Sequence, residues 1–188
     1  MNVSVNPNAS FSHHIMAPEG NYPNNLKLPV LYYKAVLQLP EKAEQEVKEL
    51  FQANGWTNSW TGGIDDYYHY HSTAHEVLAI VEGDCMVQFG GNDGNIQKIA
   101  KGDVVVIPAG VAHKNLAASP DLTVIGAYPD GQQYDMNKGE PGEVEKAKEN
   151  ICKVALPQND PVFGDKGPVR EIWLREKENP ILQKERQF

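Results

Sequence analysis

The sequence predicts an all-β fold: one small antiparallel sandwich or barrel, with an amphipathic helix in its N-terminal half and an extended C-terminal tail. Three observations lead there. Residues 56–128 read as short apolar runs at intervals of about ten residues, broken by the turn signals GG, EGD, GNDGN, KGD, PAG and SPD. The chain carries 16 Gly and 13 Pro in 188 residues, more punctuation than a helical bundle tolerates. Only one long stretch, from Glu41, has helical spacing. The length suits a single well-cored domain rather than two.

Taken in order, residues 1–29 are rich in Asn, Ser and Pro and read as an arm or loop. His13 and His14 sit there as solvated surface residues, because neighbouring side chains point apart in most backbones. LPVLYYKAVL at 28–37 reads as a strand able to pin the arm. A helix is expected over 41–53, since Ala43, Val47, Leu50 and Phe51 share one face. Pro40 suits its first turn, Glu44 and Lys48 form an i,i+4 pair, and Asn54-Gly55 ends it. The main body, 30–130, then runs through strands in YYHYH, EVLAIVEG, CMVQFGG, IQKIAKG, DVVVIP, HKNLAAS and LTVIGAYP, with GNDGN as a hairpin turn. Val87, Phe89, Val105, Ile107, Val124 and Tyr128 are expected in the core or a pocket wall. Residues 131–188 form an extension: a loop, a short helix in EVEKAKEN, a Pro/Gly-rich stretch, and Trp173 packing the tail onto the body. The charged final residues are expected to fray.

Composition narrows the function. A net charge of −8 with no local Lys/Arg cluster argues against nucleic acid, whose binding depends on cations neutralising phosphates. No run approaches the roughly 20 apolar residues of a membrane span, and the polar N-terminus lacks the apolar core of a signal peptide. Cys85 and Cys152 stand far apart and suit a reducing compartment. A cytoplasmic protein is expected.

The chemistry concentrates in two blocks. In GGIDDYYHYHSTAHEVLAIVEG, residues 62–83, His69 and His71 at i and i+2 share a strand face. After a turn in STA, Glu76 leads a second strand and shares a face with Leu78 and Ile80. In KGDVVVIPAGVAHKN, residues 101–115, a strand and a Pro-x-Gly turn deliver His113. Three imidazoles and a carboxylate suit one divalent transition metal (Fe, Mn, Ni, Co or Zn) with positions left open.

The spacing of these residues resembles that of the cupins. Gly63, His69, His71, Glu76 and Gly83 match the family's first motif without adjustment. Gly102, Pro108, Gly110 and His113 match the second, whose terminal Asn position is taken here by Ala117, with Asn115 two residues early. Further segments, among them YPNNLKLPVLYYK, NGWTNSW, GAYPDGQQYDM and LPQNDPVFGDKGPV, are similar to the YjlB-like group of single-domain bacterial cupins over nearly the whole chain. The resemblance implies a cupin-type jelly-roll barrel with the metal inside, ligated by His69, His71, Glu76 and His113. It also implies a homodimer, with the arm and the 28–37 strand as candidates to cross the interface.

Three residues are candidates to orient a ligand or bound water. Tyr67 shares the face of the two histidines and is expected inside the barrel, either orienting a ligand or simply filling space. Asn115 shares the face of His113. His75 faces away from the interior in a regular strand. A bulge could instead bring it in to replace Glu76, or it could hydrogen-bond near the site or simply pack. The expected activity is that of a metal-dependent enzyme, a dioxygenase or an isomerase/lyase, acting on a small oxygen-rich molecule. The alternatives are a non-catalytic small-molecule-binding or sensing protein with a structural metal, and a metal-free barrel whose histidines bind the ligand directly. The sequence does not assign a catalytic residue.

Overall fold

A computed structural model describes residues 2–174. The described residues form eleven strands: β1 (Ser4–Val5), β2 (Ser10–Met16), β3 (Asn25–Lys34), β4 (Leu37–Gln38), β5 (Trp56–Gly62), β6 (Glu76–Glu82), β7 (Asp84–Phe89), β8 (Asn95–Ala100), β9 (Val104–Ile107), β10 (His113–Ala118) and β11 (Thr123–Pro129). Helix α1 (Glu44–Ala53) precedes β5, and α2 (Glu143–Ile151) follows β11. The strands pair antiparallel in a six-stranded sheet, β2-β3-β9-β6-β11-β5, a three-stranded sheet, β10-β7-β8, and the small pair β1-β4.

The two larger sheets pack face to face as an open sandwich. Tyr32, Leu78, Ile80, Val105, Ile107 and Val124 from one sheet meet Cys85, Val87, Phe89 and Ile99 from the other. The opposite face of the six-stranded sheet is buried as well. There Leu31, Tyr33, Val77, Ala79, Val104, Val106 and Ile125 pack under Val47 and Phe51 of α1 and under Val162, Val169 and Trp173 of the C-terminal segment. Burial on both faces explains why β6 and β9 read as continuous apolar runs rather than as alternation. β7 keeps the alternation, because one of its faces meets solvent.

α1 buries the face anticipated for it, with Ala43, Val47 and Phe51 inside and Leu50 partly so. It starts later than expected, however. Pro40 lies outside it, and Lys42 takes a left-handed φ of 60° before the first turn at Glu44. The C-terminal stop falls at Asn54 and Gly55. The GNDGN turn joins β7 to β8, with Phe89 opposite Asn95. Gly102 and Gly110 need their lack of a side chain: at φ of 90° and 93°, a Cβ would meet the Leu37 carbonyl oxygen at 2.6 Å and the Asn24 carbonyl oxygen at 2.7 Å.

Four local expectations are corrected. Residues 4–5 and 10–16 are strands rather than loop, and β2 forms an outer edge of the large sheet. Its polar sequence hid this, since a strand exposed on both faces shows no apolar alternation. YYHYH is not a regular strand: it is extended chain with isolated bridges from His69 to His113 and from Tyr70 to Asn137. NGWTNSW, in contrast, supplies β5. The 28–37 strand ends at Lys34, where Ala35 turns at a φ of 49°. β3 is also bonded on both edges within the chain, so of these two strands β2 alone lies at a sheet edge.

Trp173 anchors the tail as expected. It is buried, and its indole N–H donates to the Pro29 carbonyl at 2.9 Å. Asp160 pins the same segment, accepting the Tyr33 hydroxyl at 2.6 Å and the N–H groups of Val162, Phe163 and Val169. Both cysteines are free thiols. No helix among the described residues is long and apolar enough to cross a membrane. The expectation of fraying at the charged C-terminus concerns residues outside those described.

Candidate metal centre

The site forms where strand ends meet the irregular segment between β5 and β6. His113 is the first residue of β10 and Glu76 the first of β6. Main-chain bonds hold His69 to His113 in both directions, at 3.2 and 3.0 Å, and the Gly110 N–H donates to the His71 carbonyl at 2.8 Å. On the other side Tyr70 pairs with Asn137 and buries its ring beside Ala112 and Ala147. The extended backbone thus turns His69 and His71 one way and Tyr70 the other, as the period of two requires.

All three histidines are tied back by the same ring nitrogen. Nδ1 of His69 lies 3.3 Å from the Tyr67 carbonyl and that of His113 lies 3.1 Å from the Val111 carbonyl, while that of His71 contacts the Asp135 carbonyl. A carbonyl only accepts, so each Nδ1 carries the hydrogen and each Nε2 presents a lone pair to the centre. One nitrogen from each ring lies within 4.8 Å of the others. Glu76 stands beside this three-histidine group: its Oε2 sits 3.6 Å from His71 Nε2 and 3.5 Å from His113 Nε2, and has no hydrogen-bond partner among the described residues. These separations are long for hydrogen bonds. They match donor atoms surrounding one ion at about 2.1 Å, which stand roughly 3.4 Å apart. A buried unpaired carboxylate oxygen facing aligned imidazole lone pairs is what a divalent transition metal requires, and the donor set fits one.

The electrostatics follow from burial and neighbours. Burial holds the His113 pKa down at about 3, helped by the adjacent His69, and burial likewise lowers His69. For His71 burial works in the same direction, but Glu76 outweighs it and raises the pKa above the ordinary value. Burial opposes the charge on Glu76, yet His71, His113 and a hydrogen bond from Tyr128 bring its pKa down to about 2. Glu76 is therefore an anion at neutral pH.

Tyr128 holds that anion in place. Its hydroxyl donates to Glu76 Oε1 at 3.0 Å and accepts the Trp60 indole N–H at 2.9 Å, which directs Oε2 at the histidines. Tyr128→Phe is expected to weaken metal affinity about tenfold, the usual cost of losing such a partner. Metal titration against a competing chelator checks it.

The residues proposed to orient ligands sit elsewhere. Tyr67 does not enter the barrel: it is 39% exposed, beneath the Lys138 ammonium, and meets His69 through its carbonyl. Asn115 lies opposite the inward-facing Val87 with Oδ1 buried and unpaired, while the Val111 carbonyl orients His113. His75 points to the other face of the sheet, where its Nδ1 accepts the Ala109 N–H at 3.0 Å and its ring lies 4.9 Å from that of Trp173. It is not placed to substitute for Glu76. Sequence reasoning missed Trp60, Tyr134, Asp135 and Met136. The only signal was the alternation in YDM, which sends Tyr134 and Met136 to the cavity and Asp135 back onto Ser72 and Thr73.

Burial lowers the pKa of His75 to about 3 from an unfolded value near 6.5. Between those values the unfolded chain binds the extra proton, so stability rises with pH and falls as pH drops below 6.5. His113 and Glu76 act in the same sense, and His71 partly against it. Metal-free protein is expected to lose about 1.6 kcal/mol for each of His75 and His113 from pH 6.5 to 5. His75→Asn, which keeps an acceptor for Ala109, should flatten that loss in urea titrations.

The histidines and Glu76 floor a cavity of about 200 Å³ walled by Trp60, Ile64, Leu78, Tyr128, Tyr134 and Met136. The fold and this cluster define a small β-sandwich protein with three histidines positioned to bind a metal.

The family described as Cupin matches residues 67–137. Over 157 residues the chain is 46% identical to the "Uncharacterized protein YjlB" of Bacillus subtilis (strain 168), covering 84% of this chain and 93% of that one. The chain belongs to the cupin family, on its YjlB-like branch. Among solved structures it is similar to an acireductone dioxygenase from Bacillus anthracis with a cadmium ion in its active center, at 17% identity and a TM-score of 0.36. That match covers 48% of this chain and 62% of the other, less than two thirds of its length. A DUF861 family protein from Thermotoga maritima is 25% identical with a TM-score of 0.30, over 47% of this chain and 92% of that one.

Proposed function

We propose that this cupin holds one divalent transition metal through His69, His71, Glu76 and His113 and acts there on a small oxygen-rich molecule, as a dioxygenase or an isomerase/lyase. The observation that carries this is the shared Nδ1 tethering: three separate carbonyls hold three imidazoles in one cluster, with the Nε2 atoms of His71 and His113 beside the unpaired Glu76 Oε2. A bound ion would polarise a ligand oxygen and lower the pKa of bound water. The chain's own contribution is positioning. Tyr128 and Trp60 fix the carboxylate, and the aromatic and aliphatic walls exclude bulk water from the floor of the cavity. Elemental analysis of protein purified without added metals, followed by oxygen-uptake and isomerisation assays on small enols and hydroxy acids, tests the reading. Stoichiometric metal with turnover supports it. Stoichiometric metal without turnover shifts the assignment to a binding or sensing protein with a structural metal.

The chain is further proposed to act in the cytoplasm, without nucleic-acid partners, as a homodimer. The edge of β2 favours pairing: seven residues, SFSHHIM, without Lys, Asp, Glu or Pro to discourage another strand. Light scattering should give twice the 20.9 kDa chain mass. A monomer refutes the pairing.

A further inference from the structure

We infer that Asp135 is a positioning residue for His71: its carboxylate latches the loop between β11 and α2 onto Ser72 and Thr73, and its own carbonyl thereby sets the His71 ring. This rests on the metal reading above and adds to it a side chain outside the donor set.

The three imidazole tethers are not alike. His69 and His113 are held by carbonyls two residues earlier in their own segments, those of Tyr67 and Val111. His71 depends instead on a carbonyl 64 positions away, in a loop that follows β11. A loop carbonyl fixes a ring only while the loop itself is fixed.

The Asp135 side chain does that fixing. Its Oδ1 accepts the Ser72 N–H at 2.6 Å and the Thr73 N–H at 3.2 Å. Its Oδ2 accepts the Ser72 hydroxyl, and the Asn137 side-chain amide at 2.8 Å. In return the Thr73 hydroxyl accepts the Asp135 N–H at 3.0 Å. Ser72 is wholly buried, and its hydroxyl accepts the Asn150 amide of α2 at 2.9 Å. Hydrogen bonds to a carboxylate are stronger than neutral ones, so four donors on one group make a firm clamp.

The same loop covers the cavity. Alternation turns Asp135 back to Ser72 and Tyr134 forward, where its ring stacks on Tyr128 at 4.7 Å and lies 4.8 Å from that of His71. A loop displaced far enough to lift Tyr134 away also surrenders the His71 tether. Access to the cavity and the orientation of one metal donor are coupled through Asp135.

Zinc titration against a competing chelator, paired with ¹H–¹⁵N spectra of the imidazole rings in zinc-loaded protein, tests this. Asp135→Ala should weaken zinc binding about tenfold and speed solvent exchange of the His71 Nδ1–H, with those of His69 and His113 unchanged. Asp135→Asn keeps an acceptor for the two main-chain N–H groups and should fall between that variant and the parent. Parental zinc affinity and an unaltered His71 Nδ1–H in both variants, whatever their stability in urea, overturn the inference and leave the metal reading intact. Equal disturbance of all three rings does the same, since it marks general loosening. A parent protein that takes up no zinc overturns both.

Discussion

Replacing His113 by alanine is expected to remove the metal while leaving the fold in place. The ring is 2% exposed, stands 4.2 Å from that of His69, and points Nε2 at Glu76. What His113 contributes to the architecture is main-chain: its N–H and carbonyl bond to His69 and survive truncation of the side chain. Affinity should therefore fall by more than the ~10–100-fold that losing an outer hydrogen-bond partner costs, and by more than in Tyr128→Phe. Elemental analysis after dialysis, paired with circular dichroism, reads the two effects separately. A folded His113→Ala protein with full metal occupancy would contradict the ligand set.

Trp173→Ala should be the most destabilising single truncation in the C-terminal segment, at about 3–5 kcal/mol. Trp173 is among the largest fully buried side chains, and it closes the core beneath α1 and the six-stranded sheet. Its loss also leaves the Pro29 carbonyl without its donor. Trp173→Phe keeps most of the packing but not that hydrogen bond, and should cost about 1–2 kcal/mol beyond the small change in volume. Urea unfolding of the two variants separates packing from hydrogen bonding. A Trp173→Ala loss below about 1 kcal/mol would mean that the sheet's outer face is stable without the tail.

What could be read from residues alone follows where side-chain pattern is tied to backbone geometry. β6 through β11 were legible because apolar runs and turn residues such as GNDGN and KGD carry their own conformational preferences. The joint orientation of His69 and His71 was legible too, since it needs only extended backbone and not a full strand. β2 was illegible, because its exposed polar sequence pairs through the main chain, which leaves no mark in composition. Tyr67 was misplaced for a related reason: alternation puts it on the histidine face only while the chain stays regular, and a bend at Asp66 and Tyr67 breaks that regularity. The carbonyls that tether the imidazoles belong to Tyr67, Val111 and Asp135. Any residue can supply a carbonyl, so no sequence motif could have named them. Tyr134 and Met136 reach the cavity from a loop roughly sixty positions after His69 and His71, a distance bridged by tertiary packing alone.

An anomalous difference map, collected at the absorption edge of the metal found by elemental analysis, gives the most direct reading of the site. A single peak should lie within coordination distance of Nε2 of His69, His71 and His113 and of Oε2 of Glu76. Imidazoles rotated away from one another, or only water density at their meeting point in metal-replete crystals, would contradict it.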